Sequence, residues 1–443
     1  MELIVEENSS LSIVILFGVI LIPLAWFAAS LRGVSAATIY FELFLIFVLM
    51  SQNIKLMATS HQTQLYVIFF IIRLMMLMYQ STYGNLPMSG GDSGVFHENA
   101  LNIIQNSEGK ILQILNPPSF LENRGDFFER MVALVYYLCG EKTQYIYYVS
   151  YIASEIVFYY INKTAYLLSG SFYISATTSL IFYIWPLEMV YSVDYLREMT
   201  MQAVFAISLY CFLLYLIERR ILCLIPAFVL GYICVGIHSG MIGILAGYML
   251  VIAFYDKMTE QIQLSMGKIL IALGIVIIFM VSPMWNEVMG RFNQIDNAGD
   301  LVARVTSNST VATTDYISSP SSSYGIILQT PIRLLFFLVS PLIWQIKSLG
   351  TAIAMILDGI PRLYLVYNIV KNWRERKQMS RKYTSVFVAV LLIVLCSQLV
   401  FSWGTNNYGT AMRHRLKVFP AELLLMNVFK PWLGMEKKNE NRI

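Results

Sequence analysis

Charge is what this chain has least of. Only 13% of its 443 residues are Asp, Glu, Lys or Arg, about half the share of an ordinary soluble domain, which excludes a surface solvated by water on all sides. The balance of 31 basic against 27 acidic residues leaves a formal charge of +4. That is too small to draw in a nucleic-acid backbone, so no nucleic-acid partner is expected. Histidine is scarce as well, with 4 residues. His97 and Glu98 form neither HExxH nor another metal-ligand spacing, so no metal and no other cofactor is expected. The five cysteines, Cys139, Cys211, Cys223, Cys234 and Cys396, are scattered through apolar stretches without a CxxC pair; they read as small core residues and say little about redox compartment. Low-complexity tracts, short repeats and transporter-like inverted symmetry are also missing, and the chain reads as a single membrane domain over 1–443. Its first apolar run lacks a basic flank and a small-residue cleavage site, the pattern of a retained helix rather than a signal peptide.

What fills the chain is hydrocarbon. Hydrophobic residues make up 57% of it, with a mean hydropathy of +0.62. Inside a bilayer each backbone donor and acceptor must be satisfied within its own segment, so long apolar runs without alternating polarity mean helices and not a barrel. The expected fold class is all-α: a polytopic integral membrane protein of about 12 transmembrane helices. The spans fall near 11–31, 36–55, 64–80, 144–162, 171–190, 199–217, 221–237, 241–256, 268–284, 349–370, 384–403 and 413–431. Two apolar runs, 127–139 and 333–345, are of the length expected for helices lying in the interface or re-entering the membrane at the outer face.

Orientation follows from lysine and arginine. The densest basic cluster, Lys371, Arg374, Arg376, Lys377, Arg381 and Lys382, belongs in the cytoplasm. Counting from it makes 371–383 a cytoplasmic basic loop and 432–443 a cytoplasmic tail, and places both termini inside. A first outer loop over 81–143 and a long one over 286–331, rich in Ser, Thr and Asn, then face outward.

The outward segments hold the candidate chemistry. The first reads Gly90-Gly91-Asp92-Ser93. Two glycines let the chain bend sharply, and Asp92 then either caps the next helix or serves as a general base for an acceptor hydroxyl. Glu98, further along that segment, is a second candidate catalytic carboxylate. The next segment, Pro186 to Glu198, carries Tyr191, Asp194 and Arg197 through a tight turn; Arg197 either pairs with Asp194 or aims its guanidinium at a lipid phosphate. A third runs from Gly404 through Asn407, Tyr408, Arg413, His414, Arg415 and Lys417 to Pro420. Its cations are expected in the first turns of the last span, where they oppose the helix macrodipole and an anion would relieve them. The alternative is an inverted topology that leaves this loop in the cytoplasm. His238, between Gly236 and Gly240, is either a turn residue or a catalytic group. Arg124, Arg130, Arg291, Arg304 and Arg333 are further outward or interfacial cations that either bind phosphate or sit among headgroups. Within the spans Glu42, Arg73, Glu155 and Asp358 stand isolated in sequence, which weighs against a transporter.

In the order of these features the chain resembles the C-type (GT-C) polytopic membrane glycosyltransferases, in particular the bacterial enzymes of capsule, O-antigen and exopolysaccharide assembly, including repeat-unit polymerases. The resemblance rests on Asp92 with Phe96 and Ala100, on Pro186, Tyr191, Ser192, Tyr195, Leu196, Arg197 and Glu198, and on Asn407, Gly409, Arg413, Arg415 and Pro420. It implies sugar transfer from or onto a polyprenyl-phosphate or pyrophosphate carrier at the outer face of the cytoplasmic membrane. Asp92 would activate the acceptor, with Glu98 and His238 as further catalytic candidates. Arg197, Arg413, Arg415, Lys417 and Arg124 would hold the lipid phosphate, and Tyr191, Tyr408 and Asn407 the sugar. The expected partners are polyprenyl-linked sugars or oligosaccharides, the bilayer, and other polysaccharide-assembly proteins. A repeat-unit polymerase and a flippase or exporter of lipid-linked oligosaccharide remain the alternatives.

Overall fold

A computed structural model of the chain describes residues 33–84, 86–108, 110–115, 126–256 and 323–429, with short pieces within 21–30 and 259–274. Helix makes up 83% of the structure. Among the described residues the only sheet is one antiparallel pair, β1 (Tyr255–Asp256) with β2 (Gln261–Ile262). Five described helices are long and apolar enough to cross a membrane: Ala36–Ile54, Ser60–Tyr83, Arg197–Glu218, Leu349–Gln378 and Arg381–Trp403. Shorter apolar helices accompany them. This is the architecture of an all-α, multi-pass membrane protein. The expected spans 11–31 and 268–284 for the most part, loop residues 286–322, the tail 432–443, and Arg124, Arg291 and Arg304 lie outside the described residues.

The helices in chain order are α1 (Ala36–Ile54), α2 (Ser60–Tyr83), α3 (Ser93–Asn106), α4 (Ile111–Leu115), α5 (Phe127–Cys139), α6 (Gln144–Ser169), α7 (Phe172–Ile184), α8 (Pro186–Tyr191), α9 (Arg197–Glu218), α10 (Leu224–Ile237), α11 (Ile242–Phe254), α12 (Ser323–Val339), α13 (Leu349–Ala354), α14 (Ile360–Glu375), α15 (Arg381–Trp403), α16 (Tyr408–Leu416) and α17 (Phe419–Asn427). Local chemistry sets their ends. Ser35, Thr59 and Ser171 cap α1, α2 and α7 with side-chain oxygens that accept a backbone N–H, and α2 stops at Gly84 in the left-handed region, φ 65°. A π-turn, Met355–Gly359, joins α13 to α14.

Two expectations need correction. The apolar run at 333–345 is not a separate short helix: α12 already begins at Ser323 and ends at Val339, before Pro341. The apolar stretch from Tyr324 onward continues its pattern through Pro331, so the end of the expected 286–331 loop is helical. The expected span 413–431 is two helices, α16 and α17, broken at Lys417–Val418. Pro420 has no N–H to carry the first helix onward, and it sits instead in the first turn of the second.

The chain divides into two compact units. One comprises residues 1–117, 126–163 and 171–203, the other 118–125, 164–170 and 204–443. In the second, α11 packs along α15 through Gly243 and Gly247. A Cβ at Gly243 would stand 2.5 Å from Ser397 Cα, and one at Gly247 would stand 2.7 Å from Ile393 Cα. Small residues four apart allow this backbone approach, which in lipid supplies the packing that water would otherwise drive. Gly247→Val should cost about 1–3 kcal/mol by overpacking, read as a fall in the thermal midpoint of the detergent-solubilised protein. Gly94→Ala, where the added Cβ meets nothing within 4 Å, should leave that midpoint in place; equal effects would refute the close packing.

Candidate functional site

In the first unit the turn after α8 meets the segment that leads into α3. Gly90 and Gly91 take positive φ, 88° and 68°, as the sharp bend requires. Asp92 occupies the N-cap position of α3 with an exposed side chain that does not cap it. The tie between the two segments is Asp194. It is 1% exposed; its Oδ2 accepts from Gly90 N at 3.0 Å, and its Oδ1 accepts from Tyr195 N at 2.8 Å and Gln80 Nε2 at 3.3 Å. Burial pushes the Asp194 carboxyl up to about 6, against the pull of those backbone amides. Asp194 thus spends its oxygens on the loop and not on Arg197. Arg197 instead lies over the first turn of α3, with its guanidinium carbon 5.2 Å from the centre of the Phe96 ring. Burial also raises the Glu129 carboxyl, opposed by a backbone hydrogen bond and by the charge of Arg197. His97 Nδ1, Tyr136 and Tyr195 continue the polar line, at 2.9 Å and 3.2 Å. Two sequence motifs distant along the chain, at 90–98 and 191–198, are therefore one structural feature.

In the second unit a different set converges. His238 ends α10, and its Nδ1 accepts from Gly240 N at 3.1 Å. Its ring centre lies 5.2 Å from Phe401 and 5.0 Å from His414. His414 in turn lies 5.0 Å from Phe401 and has its Nδ1 3.1 Å from Thr405 Oγ1. Lys417, fully buried, places Nζ 5.0 Å from the Phe401 ring centre. A Cβ at Gly240 would press on that ring at 2.4 Å, so the glycine makes room for the cluster. Arg413, next to His414 in sequence, is partly exposed.

The macrodipole argument applies in reverse here. Arg413, His414 and Arg415 sit in the last turn of α16, not the first turn of a span, so the dipole favours their charge. The N-terminus of α16 is already capped: Asn407 Oδ1 accepts from Thr410 N at 2.8 Å. Arg415 is fully buried, ion-paired to Asp358 and donating to Phe337 O at 3.0 Å. Beside it Arg362 is paired with Glu422 and donates to Leu338 O at 3.1 Å, while Gln398 Nε2 reaches Glu422 at 2.7 Å. Asp358 is isolated in sequence but not in space. The remaining expected contacts are also occupied. Arg333 is buried and bonded to Gln329 and Asn406, Arg130 is paired with Asp126, and Tyr191 and Tyr408 are buried at 1% and 5% exposure, presenting no ring at a rim. Glu98 is exposed.

Arg362, Glu422 and Glu129 belong to these groups without a sequence motif that marks them. The available signal was charge balance: Asp358, Arg362, Arg415 and Glu422 are two of each sign within apolar segments, and charges in hydrocarbon seek one another. No family model, no curated protein and no solved structure matches this chain.

Two outcomes follow. Glu422→Gln, which leaves Arg362 buried and short of its counter-charge, should cost about 3–5 kcal/mol, whereas Arg362→Met with Glu422→Leu should cost much less than the two single changes summed; a double-mutant cycle on detergent-solubilised protein reads the coupling, and additive effects would remove the pair from the core. The raised Asp194 carboxyl binds its proton more tightly folded than unfolded. Its contribution to stability is full below about 4, the ordinary range, and is lost as pH rises through about 6. Asp194→Asn should flatten the pH dependence of the thermal midpoint in that window, and an unchanged slope would be the contrary result.

Proposed function

We propose that this protein is a membrane glycosyltransferase acting on polyprenyl-phosphate- or pyrophosphate-linked sugars in surface polysaccharide assembly, with about 12 crossings and both termini in the cytoplasm. The observation that carries the reading is the cluster of His238, His414 and Lys417 around Phe401, with Arg413 next to His414 in sequence, where cationic and proton-transferring side chains gather at the ends of apolar helices. A carrier lipid keeps its phosphate at headgroup level and its tail in hydrocarbon. A site for it therefore needs cations at a helix end beside an apolar surface, and those cations can offset the charge that develops on the leaving phosphate.

In this reading Arg413, partly exposed, binds the carrier phosphate with the buried charge of Lys417 in support, and His238 and His414 are the candidate proton carriers. Asp92, exposed at the head of α3 with Arg197 over the same helix turn, is the base for the acceptor hydroxyl. Within the first unit, inversion at the sugar carbon follows if the acceptor oxygen bonds that carbon while Asp92 takes its proton and a phosphate beside Arg197 leaves with the electrons of the broken sugar–phosphate bond. Arg415, Tyr191 and Asn407 take structural parts, as an ion pair, a packed ring and a helix cap. The choice between single-sugar transfer and repeat-unit polymerisation rests on the acceptor, for which both remain in view.

A second reading, a flippase or exporter of lipid-linked oligosaccharide, is favoured by one specific observation: the pairs Asp358–Arg415 and Arg362–Glu422 sit where helices are interrupted, at the π-turn and at the α16–α17 break, a placement common in transporters.

Turnover of radiolabelled polyprenyl-linked sugar in proteoliposomes separates the two. An enzyme gives a new glycosidic product, lowered about 100-fold by Asp92→Asn and by a similar factor by Arg413→Ala, with folding intact. Full activity in both variants, or translocation of unaltered substrate without product, would overturn the transferase reading.

A further inference from the structure

At the opposite end of α15 from His414's neighbour Phe401 lies a second cationic feature, which the proposed transfer chemistry does not use. A cavity of about 500 Å³ is lined by Gln261 and Ile262 of β2, by Arg376, Lys377 and Met379 after α14, and by Arg381, Thr384, Ser385 and Val388 of α15. Its volume falls in the range of small-molecule sites. Among the described residues, three cations and no carboxylate line it. None of the three forms an ion pair among the described residues. Arg376 is held in place by the Trp373 ring, with its guanidinium carbon 3.7 Å from the ring centre, and by the Trp373 carbonyl.

Two further observations point to an anion. Ser385, 6% exposed, accepts the Ile262 amide at 3.3 Å, and no acceptor among the described residues takes its own hydroxyl proton, so a buried donor is left for a ligand. The first turn of α15 holds Arg381 and Lys382 and no acidic residue. Cations there oppose the helix dipole, and a bound anion removes that penalty. The cavity also lies at the junction of two membrane-length helices, Leu349–Gln378 and Arg381–Trp403, and the first of them carries the exposed apolar side chains Tyr364, Tyr367 and Val370. A basic cluster at the end of a membrane-length helix is the usual means of holding an anionic headgroup.

We propose that this cavity binds a phosphate group, carried by the headgroup of an anionic lipid. The cations and the Ser385 hydroxyl contact the phosphate oxygens, and the acyl chains lie along the exposed face of α14. The site is independent of the transferase reading.

The test is native mass spectrometry of the full chain released from detergent, with phosphatidylglycerol or phosphatidylcholine added. The wild type should prefer phosphatidylglycerol by about tenfold or more, and the preference should weaken between about 0.05 and 0.5 M salt, a readout that needs no variant. Lys377→Gln with Arg381→Gln, both exposed side chains, should lower it by about fivefold for each cation removed. Lys371→Gln with Arg374→Gln, outside the cavity, should retain it. If instead inorganic phosphate binds to the wild type and not to the Lys377/Arg381 variant, with no lipid preference, the phosphate chemistry stands and its source is a soluble ester. Absence of both preferences, or equal losses in the two double variants, overturns the proposal.

Discussion

Helix breaks in an apolar medium leave carbonyl groups that nothing in lipid can satisfy, and this protein answers them with buried arginine. The last carbonyls of any α-helix lack an intrahelical partner, and each costs several kcal/mol, roughly, if left bare in hydrocarbon. In the first unit α7 ends before Pro186, and Arg73 donates Nε and Nη2 to Tyr183 O at 3.1 and 2.7 Å. In the second, α12 ends before Pro341, and Arg415 and Arg362 donate to Phe337 and Leu338. Proline creates the vacancy and guanidinium fills it, because its planar fork can serve a carbonyl and a carboxylate at once.

The carboxylates follow from the arginines. Arg415 and Arg362 each bring a buried counter-charge, Asp358 and Glu422. Arg73 stands over the Tyr183 ring, whose hydroxyl donates to Glu155, which Tyr66 and Asn53 also reach. The attraction within each pair does little more than offset the cost of burying its two charges. What the pairs add is register: they fix where α12, α14, α16 and α17 meet, and hence where the chain turns at 404–407 and where Arg413 and His414 emerge. The positions of the candidate cations are thus set by buried charge pairs.

Much of this was legible in the sequence, and the parts that were not share a cause. The apolar runs at 36–55, 64–80, 199–217 and 384–403 became helices with nearly the expected ends, because composition and length alone decide a membrane helix. The 13-residue helix Phe127–Cys139 has the bounds the sequence indicated. The bend at Gly90–Gly91 was equally visible, since two glycines before a helix leave few alternatives. The failures came where a local signal competed with a distant partner. Arg415 looked available because Asp358 is 57 residues away. Arg197 and Asp194 looked like a pair because they are near in sequence, whereas the amide of Gly90 claims Asp194 across 104 residues. Pro420 was read as a position inside a span when it starts a new helix, and that single shift moved three basic residues from the beginning of a helix to its end.

That shift alters what the cations mean. A positive side chain at a helix N-terminus is strained and seeks an anion; at a C-terminus it is already favoured. Arg413 and His414 therefore need no ligand to be stable where they are. Any anion they hold must be drawn by their joint charge together with Lys417, not by relief of a dipole. The dipole argument instead fits Arg381 and Lys382, at the true start of a long helix with no acidic residue in its first turn. The same physics thus separates the two cationic ends of α15. At one end the dipole supports the cations, and at the other it opposes them, so only the second gains from a bound anion through the dipole.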